Sequence, residues 1–171
     1  RRVLFRSLES KHQWEDAEVV FRETLVRWRQ QAAGNDPQIV AESWSLSRVL
    51  AAQRKFMEAE AVLDEVLPPH SLSPNLKSNG DLFQLRSTLR GRSGRWEAAE
   101  RDATAALELD PRNSTRYLLP AVFLARNHKV REYEALCRQI LSTFPEPEDV
   151  YAADRLAKAC LLLPAPGDRK S

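Results

Sequence analysis

The chain has 171 residues, 43% hydrophobic and 29% charged, with 26 Lys and Arg against 24 Asp and Glu for a net charge of +2. That length and apolar fraction suit a folded unit with a sizeable core, and the balanced, interspersed charge selects neither nucleic acid nor an acidic membrane as partner. Five Gly, two Cys and no apolar run near the ~18 residues of a membrane span leave a helical, disulfide-free chain suited to a reducing, cytoplasmic setting.

Helices are predicted in pairs, at about 2 to 11 with 13 to 31, 37 to 53 with 55 to 67, 76 to 91 with 95 to 108, and 114 to 127 with 130 to 143. A ninth, about 149 to 163, stands alone as a cap, and 165 to 171 is a Pro-, Gly- and charge-rich tail expected to be disordered after a repeat domain spanning 1 to 164. The breaks fall at Gly34-Asn35, Asn79-Gly80 and Gly91 to Gly94. Asp36-Pro37, Ser73-Pro74 and Asp110-Pro111 each read either as an N-cap with Pro in the first turn or as a turn between helices. The first residue is Arg1 and no signal-peptide pattern precedes the first helix, so the chain reads as a fragment of a longer intracellular protein.

One phrase is written three times: Trp14-Glu15-Asp16-Ala17-Glu18, Phe56-Met57-Glu58-Ala59-Glu60 and Trp96-Glu97-Ala98-Ala99-Glu100. Apolar residues follow each Ala at four and eight positions, as Phe21/Leu25, Leu63/Leu67 and Ala103/Leu107, which places them on one helical face. Ala17 to Ala59 spans 42 residues, Ala59 to Ala99 spans 40, and Ala99 to Tyr133 of a weaker fourth copy spans 34. A period of ~34 is that of tetratricopeptide (TPR) arrays. The stretch from Gly94-Arg95-Trp96-Glu97-Ala98-Ala99 to Leu109-Asp110-Pro111 resembles the second half of that motif, and the longer first units resemble the extended repeats of kinesin light chains. The resemblance implies an all-α, right-handed α-solenoid of TPR-like hairpins, about four and a half repeats plus the capping helix.

A second resemblance covers roughly residues 94 to 164. Tyr117-Leu118-Leu119-Pro120-Ala121, Tyr133-Glu134-Ala135-Leu136-Cys137 and Ala157-Lys158-Ala159-Cys160-Leu161-Leu162-Leu163-Pro164 are similar to the repeat arrays that follow bacterial Hanks-type serine/threonine kinase domains. That likeness implies a kinase upstream, because the chain itself has neither a Gly-rich phosphate loop nor a His-Arg-Asp catalytic loop.

No residue set points to catalysis, a cofactor or a metal. His12, His70 and His128 lie far apart beside predicted turns and lack ligand spacing. Cys137 and Cys160 fall on apolar faces as neighbours in which an inert buried thiol is expected. The carboxylates Glu15/Glu18, Glu58/Glu60 and Glu97/Glu100 sit near helix N-termini, where the macrodipole accounts for them. Asn113-Ser114-Thr115 matches a glycosylation sequon by chance. Trp14, Phe56 and Trp96 are expected to fill gaps between stacked helices, and Trp28 to be half-buried. Arg86, Arg90, Arg92 and Arg95 form the one dense basic cluster, read as a solvated helix end or a partner contact.

These features point to a non-enzymatic scaffold that holds a peptide segment of a partner protein, with no nucleic-acid or membrane partner. Aligning Leu46/Leu50, Leu85/Leu89 and Ala121/Leu124 puts Trp44, Phe83 and Leu118 at one inward position, with Arg48, Arg90 and Arg126 further along the same faces. An apolar ridge flanked by Arg suits an acidic, amphipathic ligand; the competing reading is that each Arg pairs with a local carboxylate. The alternative function, implied by the second resemblance, is a regulatory or substrate-docking segment of a bacterial kinase.

Overall fold

The computed structural model describes residues 13–32, 36–67, 77–147 and 149–163; the predicted first helix, the tail, His12 and His70 lie outside them. The described residues form eight α-helices and no strand: α1 (Trp14–Gln31), α2 (Pro37–Ala52), α3 (Phe56–Asp64), α4 (Lys77–Arg92), α5 (Trp96–Leu109), α6 (Leu118–Arg126), α7 (Val130–Thr143) and α8 (Val150–Cys160). A single 3-10 turn, Ser114–Arg116, precedes α6. The chain divides into two compact units, Arg1–Pro74 and Asn75–Ser171. In the first, α1 packs on α2 and α2 on α3. In the second, α4 packs on α5, α5 on α6, and α6 on both α7 and α8.

The triplicated phrase marks the buried stripe. Ala17, Ala59 and Ala99 are fully buried, and Phe21/Leu25, Leu63/Leu67 and Ala103/Leu107 are buried with them. The fourth copy keeps Tyr133 inside but shifts by one residue: Leu136 and Ile140 are buried while Leu141 is 69% exposed. The aromatic openers Trp14, Phe56 and Trp96 are half-buried at the hairpin edges and not fully enclosed.

The predicted helix 114 to 127 is broken. A continuous helix would place Pro120 in its interior, where the missing N–H and the ring clash cost about 3 kcal/mol or more. The chain instead makes the 3-10 turn, and α6 starts at Leu118 so that Pro120 falls in its first turn. Asp36 is an N-cap, its carboxylate accepting from the Gln38 N–H at 2.8 Å with Pro37 in the first turn. Asp110-Pro111 is the other case, a turn after α5 whose Pro111 carbonyl accepts from the Tyr117 hydroxyl at 2.7 Å.

Three hairpins turn in the same way. Lys55, Arg95 and Lys129 each donate their N–H to the carbonyl five residues back, of Leu50, Arg90 and Leu124, all at 2.9 Å. The residue before each is left-handed: Arg54 at φ 63°, Gly94 at 77° and His128 at 58°. This is a Schellman ending, which satisfies the last helical carbonyls. Only one of the three uses Gly, so the turn is written in the sequence by position more than by residue type. Gly91 serves a different need: a Cβ there would come within 2.9 Å of the Phe123 ring, so its absence lets α6 approach α4.

In the first and third copies the Glu of the repeated phrase binds the following turn. Glu18 accepts from Gln53 Nε2 at 2.9 Å and Lys55 Nζ at 2.8 Å, and Glu100 accepts from Asn127 Nδ2 at 2.5 Å and Lys129 Nζ at 2.6 Å. An amide and a lysine thus flank the left-handed residue, and both reach back to the carboxylate on the preceding hairpin's second helix. Sequence reasoning gave these carboxylates to the helix dipole; geometry gives them to the joint between hairpins.

Burial pushes the Glu18 carboxyl up, but hydrogen bonds from Lys55, Arg22 and Gln53 outweigh it and hold the group at about 2. An unfolded Glu titrates near about 4.3. The stabilisation is therefore complete above that value and is lost as pH falls from about 4.3 towards about 2. Urea titrations of the protein and of Glu18→Gln are expected to differ most near neutral pH and to converge by pH 2. A difference independent of pH would remove Glu18 from the joint.

Candidate interaction surface

The six residues singled out in the sequence fall into three situations. Trp44 and Arg48 are half-buried on α2, with the Arg48 guanidinium 4.7 Å from the Trp44 ring centre. Phe83 is buried on α4, and Leu118 is half-buried against the core of the second unit, so both rings and chains serve packing. Arg126 is exposed at the end of α6, 5.1 Å over the face of Trp96.

Arg90 differs most from the expectation. Its Nη1 donates to Asp102 Oδ2 at 2.8 Å, while Arg86 grips the same carboxylate with Nε at 2.9 Å and Nη2 at 2.8 Å. The Arg86 and Asp102 side chains are only 7% and 5% exposed. The basic cluster is therefore not simply a solvated helix end: two of its members enter the α4–α5 interface to meet a carboxylate that sits on the Ala99/Ala103/Ala106 face. The Arg86 guanidinium also lies 5.3 Å from the Phe83 ring centre.

The proposed equivalence of the three arginines does not follow the hairpin turns. Arg48, Arg90 and Arg126 precede the left-handed residues Arg54, Gly94 and His128 by six, four and two positions. Two residues are about 200° of helical rotation. Arg90 therefore leaves its helix on the side opposite the other two, while Arg48 and Arg126, four residues apart in this register, share a side one turn apart; leucine spacing alone had suggested one register for all three because several apolar positions can be matched.

A pairing that sequence reasoning missed stands out. Trp96 packs beside Ala99, Ala103 and Phe123, its ring 6.4 Å from that of Phe123, and carries Arg126 on its face. A cation over an indole contributes roughly 0.5–1 kcal/mol at exposed sites and keeps the charge available to solvent. Each unit thus presents a Trp–Arg stack, Trp44/Arg48 in the first and Trp96/Arg126 in the second. The second unit also has an open polar cleft between the 110–115 turn and α8, where Arg155 Nη2 donates to Ser114 Oγ at 3.0 Å. Asn113 accepts there from the Thr115 N–H at 3.0 Å, a capping role that accounts for the sequon-like triplet. Among the described residues no three His, Cys, Asp or Glu gather to hold a metal ion, and no helix is long and apolar enough to cross a membrane.

Paired antiparallel helices with repeated turns, repeated buried Ala and repeated Glu latches define a TPR-type helical-repeat fold. Solved structures agree. MamA, a TPR-type repeat protein, in "Crystal structure of MamA" is similar with a TM-score of 0.62 and 12% identity, over 91% of this chain and 81% of that one. "MamA RS-1 ArsTM double mutant" gives 0.60 and 17% identity, over 94% and 91%. No protein-family model matches the chain, and no curated protein does.

Proposed function

We propose that the chain is a non-catalytic scaffold that binds a segment of another protein, and that the two Trp–Arg stacks are points of contact. The observation that carries this reading is the pairing of a half-exposed Trp with an Arg across its face in each unit of a TPR-type array. Trp and Arg are the residues most enriched among the contacts that dominate binding energy. A stacked guanidinium is pre-oriented, so less side-chain freedom is lost when it meets a carboxylate. An acidic, amphipathic segment fits such a surface, its apolar residues against indole and its carboxylates against guanidinium.

Arg48→Glu with Arg126→Glu tests the reading without disturbing the half-buried Arg90 that Asp102 holds. Melting is expected to stay within a few degrees, whereas capture of partners from a lysate falls several-fold, most at low salt where charge steering is least screened. Unchanged capture by the folded double variant would move recognition elsewhere on the chain. Should the captured partner be a serine/threonine kinase domain, the docking-segment form of the same reading is favoured.

A further inference from the structure

Cys137 lies on α7 and Cys160 ends α8; both are free thiols and both are half-buried. They pack against the same core cluster, which includes Leu124, Leu136, Leu156 and Ala159. Their approach is held by Tyr133, one turn before Cys137. The Tyr133 hydroxyl donates to the carbonyl of Ala159, the neighbour of Cys160, at 2.8 Å and accepts from the Leu162 N–H at 3.1 Å. The fold therefore packs two half-buried thiols of adjacent helices against one cluster, with Tyr133 tying α7 to the end of α8, where sequence reasoning expected inert, buried thiols.

We propose that Cys137 and Cys160 form an oxidative modification site, closing an intramolecular disulfide that fastens α8 to α7 when the chain meets a low-molecular-weight disulfide such as glutathione disulfide. The first thiolate attacks one glutathione sulfur, forming a mixed disulfide and expelling one glutathione thiolate. The second thiolate attacks the protein sulfur of that mixed disulfide, the new S–S bond forms, and a second glutathione thiolate leaves. Two protein thiols are oxidised, one glutathione disulfide is reduced to two thiols, and the two cysteine protons pass to the departing thiolates. Burial, then the neighbouring Cys137 sulfur, pushes the Cys160 thiol up to about 11, so exchange is slow at neutral pH and is best followed at mildly alkaline pH.

The bond matters because α8 covers the core of its unit. Closing the 137–160 loop constrains the unfolded chain and should raise the melting temperature of the second unit by several degrees. Under reducing conditions α8 is held by packing, the Tyr133 bonds and the Arg155–Ser114 bond.

The intact chain is incubated at pH 8.5 with glutathione disulfide, then quenched with acid and analysed by intact mass and a non-reducing peptide map. The expected product has lost two hydrogens, links the Cys137 peptide to the Cys160 peptide, and melts higher than the reduced chain. Cys137→Ser and Cys160→Ser should each yield only a glutathione adduct on the remaining thiol. A urea-unfolded sample treated in parallel shows that the oxidant is competent. A folded chain that stays reduced, carries glutathione on both cysteines, or forms only linked dimers would overturn the proposal.

Discussion

Asp102→Ala is expected to cost about 3–5 kcal/mol, because it leaves two arginines in the α4–α5 interface with their shared carboxylate gone. Arg86 is bound through two nitrogens and Arg90 through one, and both Arg86 and Asp102 are almost wholly enclosed. Removing the carboxylate from a buried, hydrogen-bonded charge network is far more costly than the loss of a surface pair, which is worth about 0–1 kcal/mol. A loss on this scale is a large share of the roughly 5–15 kcal/mol that holds an ordinary domain together. Chemical denaturation followed by far-ultraviolet circular dichroism measures it directly. A control separates the charge from the packing: Arg86→Met and Arg90→Met with Asp102→Leu replace all three charged groups by apolar ones and should recover most of the loss. If Asp102→Ala melts within a degree of the parent, water reaches the network and its burial counts for little.

The sequence made the hairpin fold legible because the repeated phrase carries its own phase. Ala17, Ala59 and Ala99 with their partners four and eight residues on are the buried stripe, as the helical period requires. Local chemistry that depends on one side chain was harder to read. Pro120 marks the start of α6, yet the apolar run Tyr117-Leu118-Leu119 extends the helical pattern across it. The left-handed turns at Arg54 and His128 carry no Gly, so only their alignment with Gly94 could have revealed them. The Gln53/Lys55 and Asn127/Lys129 latches were present as an amide-x-Lys phrase before each second helix, but their target Glu lies one hairpin back and sequence spacing does not show the contact. The basic cluster misled for a related reason: a charged residue, Asp102, inside an Ala stripe was the sign that arginines from α4 turn inward.

Ending the chain after residue 147, which removes α8, is expected to abolish cooperative melting of the second unit and to cause aggregation. Leu156 and Ala159 of α8 are buried in the cluster formed with Tyr117, Ala121, Leu124, Tyr133 and Leu136, with Cys160 packed at its edge. Removing the helix bares those side chains, and the last hairpin of a helical array depends on a cover over its apolar face. The anchoring is also polar: Tyr133 would lose its bonds to Ala159, Leu162 and Leu163 together, leaving a hydroxyl that was paired three times in the folded chain. Leu156→Ala grades the same effect, with about 2–5 kcal/mol expected for a buried leucine whose cavity the neighbours only partly fill. Size-exclusion chromatography and calorimetry distinguish the outcomes. A truncated chain that stays monomeric and keeps the parent's melting transition would show that α8 covers nothing the second unit needs, and Leu156→Ala would then be silent as well.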